Sequence, residues 1–186
     1  MSIIPLRRPT PAVLDRDFWH GTTRGALTKI LREGLRPECC ETGHTCLTTR
    51  PEIALFFARL HTLYGDTDPD AAPVLIRIDG RRLDPSAVVP ETGCVRLSPY
   101  GNHLPERAPS RLDPVKDDWA GLLARVDCIG TRETLPVSAD MIAADGAPLP
   151  FPDKARLLEE YRTGAPVEPE IPAFLAELEA PSMRAA

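Results

Sequence analysis

The chain has 186 residues, of which 42% are hydrophobic and 26% are charged, so it is long enough and apolar enough to bury the core of one folded domain. Its formal net charge of −5 argues against a broad phosphate-binding surface of the kind that duplex nucleic acid needs. No apolar run approaches the length of a membrane span, and the five cysteines make a poor disulfide framework, so we expect a protein of the reducing cytoplasm without a membrane partner.

The N-terminal part of the chain predicts an arm, a strand and a helix. Residues 1–15 contain three prolines and few apolar anchors, which favours an extended arm. Residues 16–20 then predict a short strand that ends in a turn. Apolar residues at helical spacing follow, and they predict a helix that ends at Gly34.

A second strand and helix are expected at residues 44–64. Residues 44–48 predict the strand, and Thr49-Arg50-Pro51-Glu52 places a hydroxyl three residues before a carboxylate, which is the pattern of a capping box. One face of the following helix is apolar and consists of Ile53, Phe57, Leu60 and Tyr64.

Short strands become more frequent further along the chain. Alternating side chains predict a strand over 73–79, and a shorter strand is expected over 87–89. Residues 90–113 form a long connection rich in proline and arginine, and connections of this length inside a domain are often functional.

The last elements of the domain are a helix over 115–123, a strand over 126–129 and an edge element that begins at Leu135. We therefore expect one α+β domain over residues 16–150, in which a split antiparallel or mixed sheet surrounds a cleft. The sequence of residues 151–186 predicts short helices around a Pro/Glu linker, and we expect them to form a C-terminal helical appendage.

Two segments carry a recognisable pattern. The first is Phe18-Trp19-His20-Gly21-Thr22-Thr23, and the second runs from Cys46-Leu47-Thr48-Thr49 to Phe57-Ala58, with a predicted helix between them. This ordered pair resembles the NAD-cleaving ADP-ribosyltransferases of the diphtheria-toxin and poly-ADP-ribose-polymerase type, and also the related RNA 2′-phosphotransferases. The resemblance covers roughly residues 16–145 and implies an ADP-ribosyltransferase-like split β-sheet around an NAD cleft with flanking helices.

The resemblance assigns roles to the first segment. Cleavage of NAD passes through an oxocarbenium-like transition state, so the enzyme must hold the nicotinamide and orient the ribose. By resemblance, His20 would hydrogen-bond a ribose hydroxyl, the backbone of Gly21 would bind the nicotinamide carboxamide, and Thr22 would steady this corner. Alternatively, His20 is an ordinary turn histidine and Thr22 is a helix cap.

The second segment would complete the NAD site. Phe57 matches the position where the family commonly stacks an aromatic ring on nicotinamide, although it could equally be a core residue. Ala54 stands where some relatives carry a carboxamide-binding serine, and Thr48 or Thr49 could compensate for its absence.

The family's third element is an acidic residue that stabilises the cation. Asp127 matches its position before an Ile-Pro-like pair, whereas Glu133 matches its residue type, and both stay open as the catalytic acid. The arginine-modifying branch has two glutamates separated by one residue, and this chain has Thr131 in place of the first. Arginine is therefore disfavoured as the acceptor.

The preferred hypothesis is an NAD-dependent ADP-ribosyltransferase that modifies a protein or nucleic-acid acceptor, in a toxin or effector system with an antitoxin or immunity partner. One alternative is an NAD-dependent RNA 2′-phosphotransferase that uses Arg24, Arg50 and Arg96. The other is a catalytically inactive module that binds NAD or ADP-ribose.

The sequence predicts no metal site. The run from Cys39 to Cys46 offers thiols and His44, which are good zinc donors, but their spacing is irregular and includes no Cys-x-x-Cys pair. We interpret this run as a loop with buried thiols.

Overall fold

A computed structural model describes the chain over residues 8–40, 43–64, 72–91, 119–145, 155–157, 159 and 170–179. Its strands are β1 (Asp17–Thr23), β2 (Thr45–Thr48), β3 (Pro73–Asp79), β4 (Val88–Pro90), β5 (Cys128–Thr131) and β6 (Ile142–Asp145). They form one antiparallel sheet in the order β4-β5-β2-β1-β3-β6.

The helices are α1 (Pro11–Leu14), α2 (Arg24–Glu33), α3 (Pro51–Tyr64), α4 (Trp119–Val126) and α5 (Glu170–Glu179). Short 3₁₀ turns occur at Pro37–Cys39, Gly80–Arg82 and Ala139–Met141. An antiparallel sheet flanked by several helices agrees with the predicted α+β class. In the part of the chain that the structure describes, no helix combines the length and the apolar character that crossing a bilayer requires.

The sheet consists of two three-stranded parts. β1 pairs with β3 along its whole length, and all four residues of β2 pair with β5. Between β1 and β2, by contrast, the register contains one pair, Trp19 opposite Thr48. We call β1, β3 and β6 the β1 half and β2, β5 and β4 the β2 half. The stretch beyond this pair, towards Thr23 of β1 and Thr45 of β2, has no register pair between the two strands, and we call it the separation between the halves.

The two faces of the sheet have separate cores. Phe18 and Ile76 belong to an apolar cluster that includes Leu27 of α2, whereas Trp19 and Leu75 pack with residues of α3. Neighbouring residues of a strand point to opposite faces, so this alternation defines an α2 face and an α3 face.

Glycine ends α2 as the sequence predicts. Gly34 has φ 80°, a left-handed conformation that glycine adopts without a steric penalty. Its N–H donates to the carbonyl of Ile30 at 2.7 Å, which closes the last turn. Leu35 then forms an isolated bridge with Leu135, where the sequence predicted the start of an edge element.

The structure corrects three local predictions. The strand expected over 16–20 does not turn after His20, because β1 stays paired with β3 as far as Thr23. The expected extended arm is wrong over Pro11–Leu14, which form α1, because Val13 and Leu14 bury their side chains in the core. The strand predicted over 126–129 begins two residues later, since Val126 ends α4 and Asp127 has a left-handed φ of 54°.

The chain ends lie partly outside the described residues, as do residues 92–113 of the predicted long connection. In the C-terminal appendage, α5 is helical as predicted. Its Ile171 is 1% exposed and belongs to the cluster that contains Trp19 and Leu75, so α5 packs on the α3 face of the domain.

Candidate functional site

His20 lies where the two halves of the sheet separate. Its Nδ1 lies 3.0 Å from the carbonyl oxygen of Cys46 on β2. A carbonyl can only accept a hydrogen bond, so Nδ1 carries the proton and donates it. The side chain of His20 thus connects β1 to β2 at a point where the register pairs between these strands have ended.

The same bond determines the chemistry of the other ring nitrogen. Burial lowers the pKa of His20, although the bond to Cys46 acts in the opposite direction, so the neutral imidazole is favoured. With its proton on Nδ1, a neutral imidazole has a lone pair on Nε2. Nε2 is therefore an acceptor for a hydroxyl group.

The last turn of α3 contributes to this environment. His61, near the end of α3, also lowers the pKa of His20, as the last of its causes after burial and the bond to Cys46. Phe57, one turn earlier, is partly buried and packs edge-to-face on Phe56, with the ring centroids 5.4 Å apart. Phe57 therefore contributes to an apolar cluster while part of its ring stays accessible.

Gly21 is required for the packing of α3 on the sheet. A Cβ atom built at this position would lie 1.8 Å from the carbonyl oxygen of Ala54 and 3.1 Å from the backbone nitrogen of Ala58. The helix backbone thus occupies the space that the resemblance reserves for close approach of a ligand. A carboxamide contact at Gly21 would have to use the backbone edge that faces the separation between β1 and β2.

The two predicted threonines differ in their bonding. Thr22 is buried and lies on the α2 face with His20, since alternate residues of β1 share a face. The Thr48 hydroxyl donates to the carbonyl of Asp127 at 2.9 Å and accepts from the N–H of Arg50 at 3.1 Å. One lone pair remains on Thr48 for a ligand donor.

Asp127 holds the junction between β2 and α3. Its carbonyl accepts from the N–H of Thr49 at 2.8 Å as well as from Thr48. Its carboxylate lies 3.6 Å from the guanidinium of Arg50 and 3.5 Å from the Thr49 hydroxyl. Both ends of this residue are therefore engaged within the chain.

Glu133 lies beyond the opposite end of β5. Its Oε1 accepts from the N–H of Asp84 at 2.9 Å. Thr48 is opposite Cys128 and Thr45 is opposite Thr131. The end of β5 near Glu133 therefore lies beside the end of β2 that has no register pair with β1, which we call the open side of the β1–β2 separation. The two acids thus flank β5 at opposite ends, and Glu133 is on the open side.

The arginines expected for RNA are engaged with carboxylates. Arg24 binds Asp145 at 2.7 Å, and Arg50 binds Glu52 at 2.6 Å in addition to its contact with Asp127. Arg96 lies outside the described residues.

The core contains a carboxylate that no pattern in the sequence predicts. Glu91 directly follows β4, has no exposed surface, and contacts both His44 and Cys46. Nothing in the sequence around Glu91 indicates burial, because the residue is enclosed by groups from other strands.

Comparison of this chain with protein-family models, with curated proteins and with solved structures gave no match in any of the three.

Proposed function

We propose that this protein is an NAD-dependent ADP-ribosyltransferase that cleaves the bond between nicotinamide and ribose and transfers ADP-ribose to a macromolecular acceptor. The observation that carries the proposal is the state of His20. Its Nδ1–H is fixed on the carbonyl of Cys46, and its Nε2 is an acceptor at the separation of the sheet. A ribose hydroxyl, which can donate one hydrogen bond, suits this nitrogen.

The reaction needs orientation and charge more than it needs a strong nucleophile from the protein. As nicotinamide leaves with the bonding electrons, positive charge develops on the anomeric carbon and the ring oxygen. In the proposal, His20 orients the ribose and the backbone of Gly21 holds the carboxamide. Phe57 lies on the α3 face, opposite to the face of His20, so it would reach the nicotinamide through the separation between the halves of the sheet. A carboxylate stabilises the cation until the acceptor attacks.

Glu133 is the better supported of the two acids. The carboxylate of Asp127 already faces Arg50 and Thr49, and loss of these contacts would disturb the start of α3. Glu133 lies on the open side of the sheet, and its carboxylate has one contact with a backbone N–H, that of Asp84. Rotation of its side chain away from Asp84 would make the carboxylate available.

A second candidate function is binding of NAD or ADP-ribose without transfer. It is supported by the same bonds, because Asp127 and Glu133 both bind other parts of the chain. The RNA 2′-phosphotransferase alternative has less support, since Arg24 and Arg50 are both paired with carboxylates.

The test is release of nicotinamide from NAD, with cell extract supplied as acceptor. Wild type is compared with His20→Ala, Glu133→Gln and Asp127→Asn, and Asp79→Asn at the far end of β3 is the control. We expect His20→Ala and Glu133→Gln to lose about 100-fold in rate, since misplacement of the reacting groups by 1 Å costs about that much. The control should keep the wild-type rate.

The two functions give different results. If the wild type released no nicotinamide but bound NAD in calorimetry, and if His20→Ala lost this binding, the binding module would be favoured over the transferase. If the wild type neither released nicotinamide nor bound NAD, the use of NAD would be overturned altogether.

A further inference from the structure

A cluster of three different ligating side chains lies on the α3 face of the β2 half. It consists of His44, Cys46 and Glu91, whose ligating atoms all lie within 4.8 Å of one another. The Sγ of Cys46 lies 3.0 Å from Oε2 of Glu91, and Nε2 of His44 contacts the same oxygen. An imidazole, a thiol and a carboxylate thus converge on one point.

The sheet brings these groups together across an intervening strand. His44 and Cys46 are two residues apart, so they share one face of β2 and its N-terminal extension. Cys46 and Val89 are both opposite Gly130 of β5, from β2 and β4 respectively. Glu91, two residues after Val89, therefore approaches from the far side of β5.

Gly130 provides the room for this meeting. A Cβ atom at this position would lie 2.4 Å from Cδ2 of His44 and 2.9 Å from Cγ2 of Val89. The β5 residue that lies between Cys46 and Val89 therefore carries no side chain, and the side chains of His44 and Val89 occupy the space above it.

The cluster combines three types of donor around a buried carboxylate. Glu91 is 0% exposed, and a carboxylate removed from water needs compensation, which here includes the contacts with His44 and Cys46 that a bound cation would replace. The His44 side chain is 13% exposed, so an ion has a route from solvent. Sulfur, nitrogen and oxygen together form a donor set that suits zinc.

We propose that His44, Cys46 and Glu91 bind a zinc ion, with the fourth position open to water. The ion would link β2 to the end of β4 across β5, and it would stabilise the half of the sheet that has the shorter strands. The proposal of this site does not depend on the proposed transferase activity.

The three ligand atoms have to move apart to accommodate the ion, and the close His44–Glu91 pair has to open further than the Cys46–Glu91 pair. Tetrahedral zinc, with bonds of about 2.3 Å to sulfur and about 2.0 Å to oxygen, holds the two atoms about 3.5 Å apart. The present separation is 3.0 Å, so the pair has to open by about 0.5 Å.

Neighbouring thiols need a control. Burial raises the pKa of Cys40, and the charges of Cys46 and Glu91 raise it further, so this thiol borders the cluster. Cys39 is exposed. The double variant Cys39→Ser/Cys40→Ser removes both thiols and leaves the three proposed ligands in place.

The experiment measures Zn²⁺ by competition with a chromophoric chelator and Co²⁺ by its absorption spectrum, on the full chain kept reduced. Wild type and the double variant should each bind one ion and show a sulfur-to-cobalt charge-transfer band. Cys46→Ser should lose that band. His44→Gln and Glu91→Gln should weaken Zn²⁺ binding by more than the roughly 10–100-fold that loss of a supporting partner costs.

The outcomes separate a metal site from a purely structural contact. Circular dichroism without metal tests whether each variant is folded. In each folded variant, the Co²⁺ band identifies the sulfur ligand. Absence of Zn²⁺ binding by wild type would overturn the proposal. It would equally be overturned if the charge-transfer band persisted in Cys46→Ser and disappeared in the double variant.

Discussion

β1 pairs with β3 along all seven of its residues, from Asp17 opposite Asp79 to Thr23 opposite Pro73, whereas one pair connects β1 to β2. The two halves also differ in what they bury. Both halves bury apolar side chains, such as Ile76 in the β1 half and Ile129 in the β2 half, but the β2 half encloses more polar residues. In the latter, Thr45, Glu91 and Thr131 are each at most 1% exposed.

The difference indicates that the two halves of the sheet have different roles. Long ladders and apolar burial stabilise the β1 half, so it can act as a scaffold. Buried polar groups cost stability unless each is bonded, and they tend to be retained where they perform chemistry or fix a unique arrangement. Both proposed sites use the β2 half: Cys46 is a proposed zinc ligand, and its carbonyl anchors His20.

The largest expected effect comes from Gly21→Ala. The new Cβ would meet the carbonyl of Ala54 at 1.8 Å, and a helix backbone cannot rotate away as a side chain can. We expect a loss of about 3 kcal/mol or more in the free energy of unfolding, at the upper end of overpacking costs, measured by urea denaturation.

Gly43→Ala is the matched control for this substitution. Gly43 has φ 69° and open space around its Cβ position, so alanine there costs only the left-handed backbone, about 1–2 kcal/mol. If Gly21→Ala were no more destabilising than Gly43→Ala, the close contact between α3 and β1 would not be a main support of the β1 half.

An intermediate effect is expected from Gly130→Ala. Here the new methyl group meets the side chains of His44 and Val89, which can move by rotation. We expect a loss of about 1–2 kcal/mol by the same denaturation measurement, below that of Gly21→Ala. Equal losses at the two glycines would contradict the view that the β2 half is the more adaptable one.

The smallest expected effect is the pH dependence of stability that comes from His20, which connects the two halves. Burial holds the pKa of His20 below its usual value of 6.5, so the unfolded chain takes up this proton first as the pH falls through 6.5. Stability is therefore undiminished above pH 6.5 and decreases below it. The contribution of one such group is at most about 1.4 kcal/mol per pH unit.

His20→Gln should reduce this acid sensitivity, as measured by denaturation midpoints at about pH 7.5 and about pH 5.5. An amide N–H can replace the bond to Cys46 without titrating. Burial also lowers the pKa of His61, so His61→Gln measures how much of the slope belongs to that residue. An unchanged slope in His20→Gln would show that the imidazole is not held neutral by burial.

Much of the fold follows from local patterns. The alternation over 73–79 gives β3 with its observed bounds, and Gly34 ends α2 as expected. Ile53, Phe57 and Leu60 of α3 share one cluster, as their helical spacing predicts. Strand and helix periods are properties of neighbouring residues, so the sequence alone is enough to detect them.

The sites depend on distant contacts and are harder to predict. The need for glycine at position 21 arises from α3, which begins thirty residues later, and a strand pattern gives no information about that helix. In the sequence, Glu91 is the first polar residue after the strand predicted over 87–89, so the pattern assigns it to the connection that follows. It meets Cys46 only because β4 and β2 lie on either side of β5, which is a matter of strand order.

Cys46 belongs to both proposed sites, because its carbonyl accepts from His20 while its sulfur contacts Glu91. Thermodynamic linkage then imposes a condition on them. By whatever factor a metal ion at Cys46 changes the affinity of a ligand at His20, the ligand must change the affinity for the metal by the same factor. One residue of β2 would thus connect the two sites directly, and the coupling has the same size whichever of the two ligands is used to measure it.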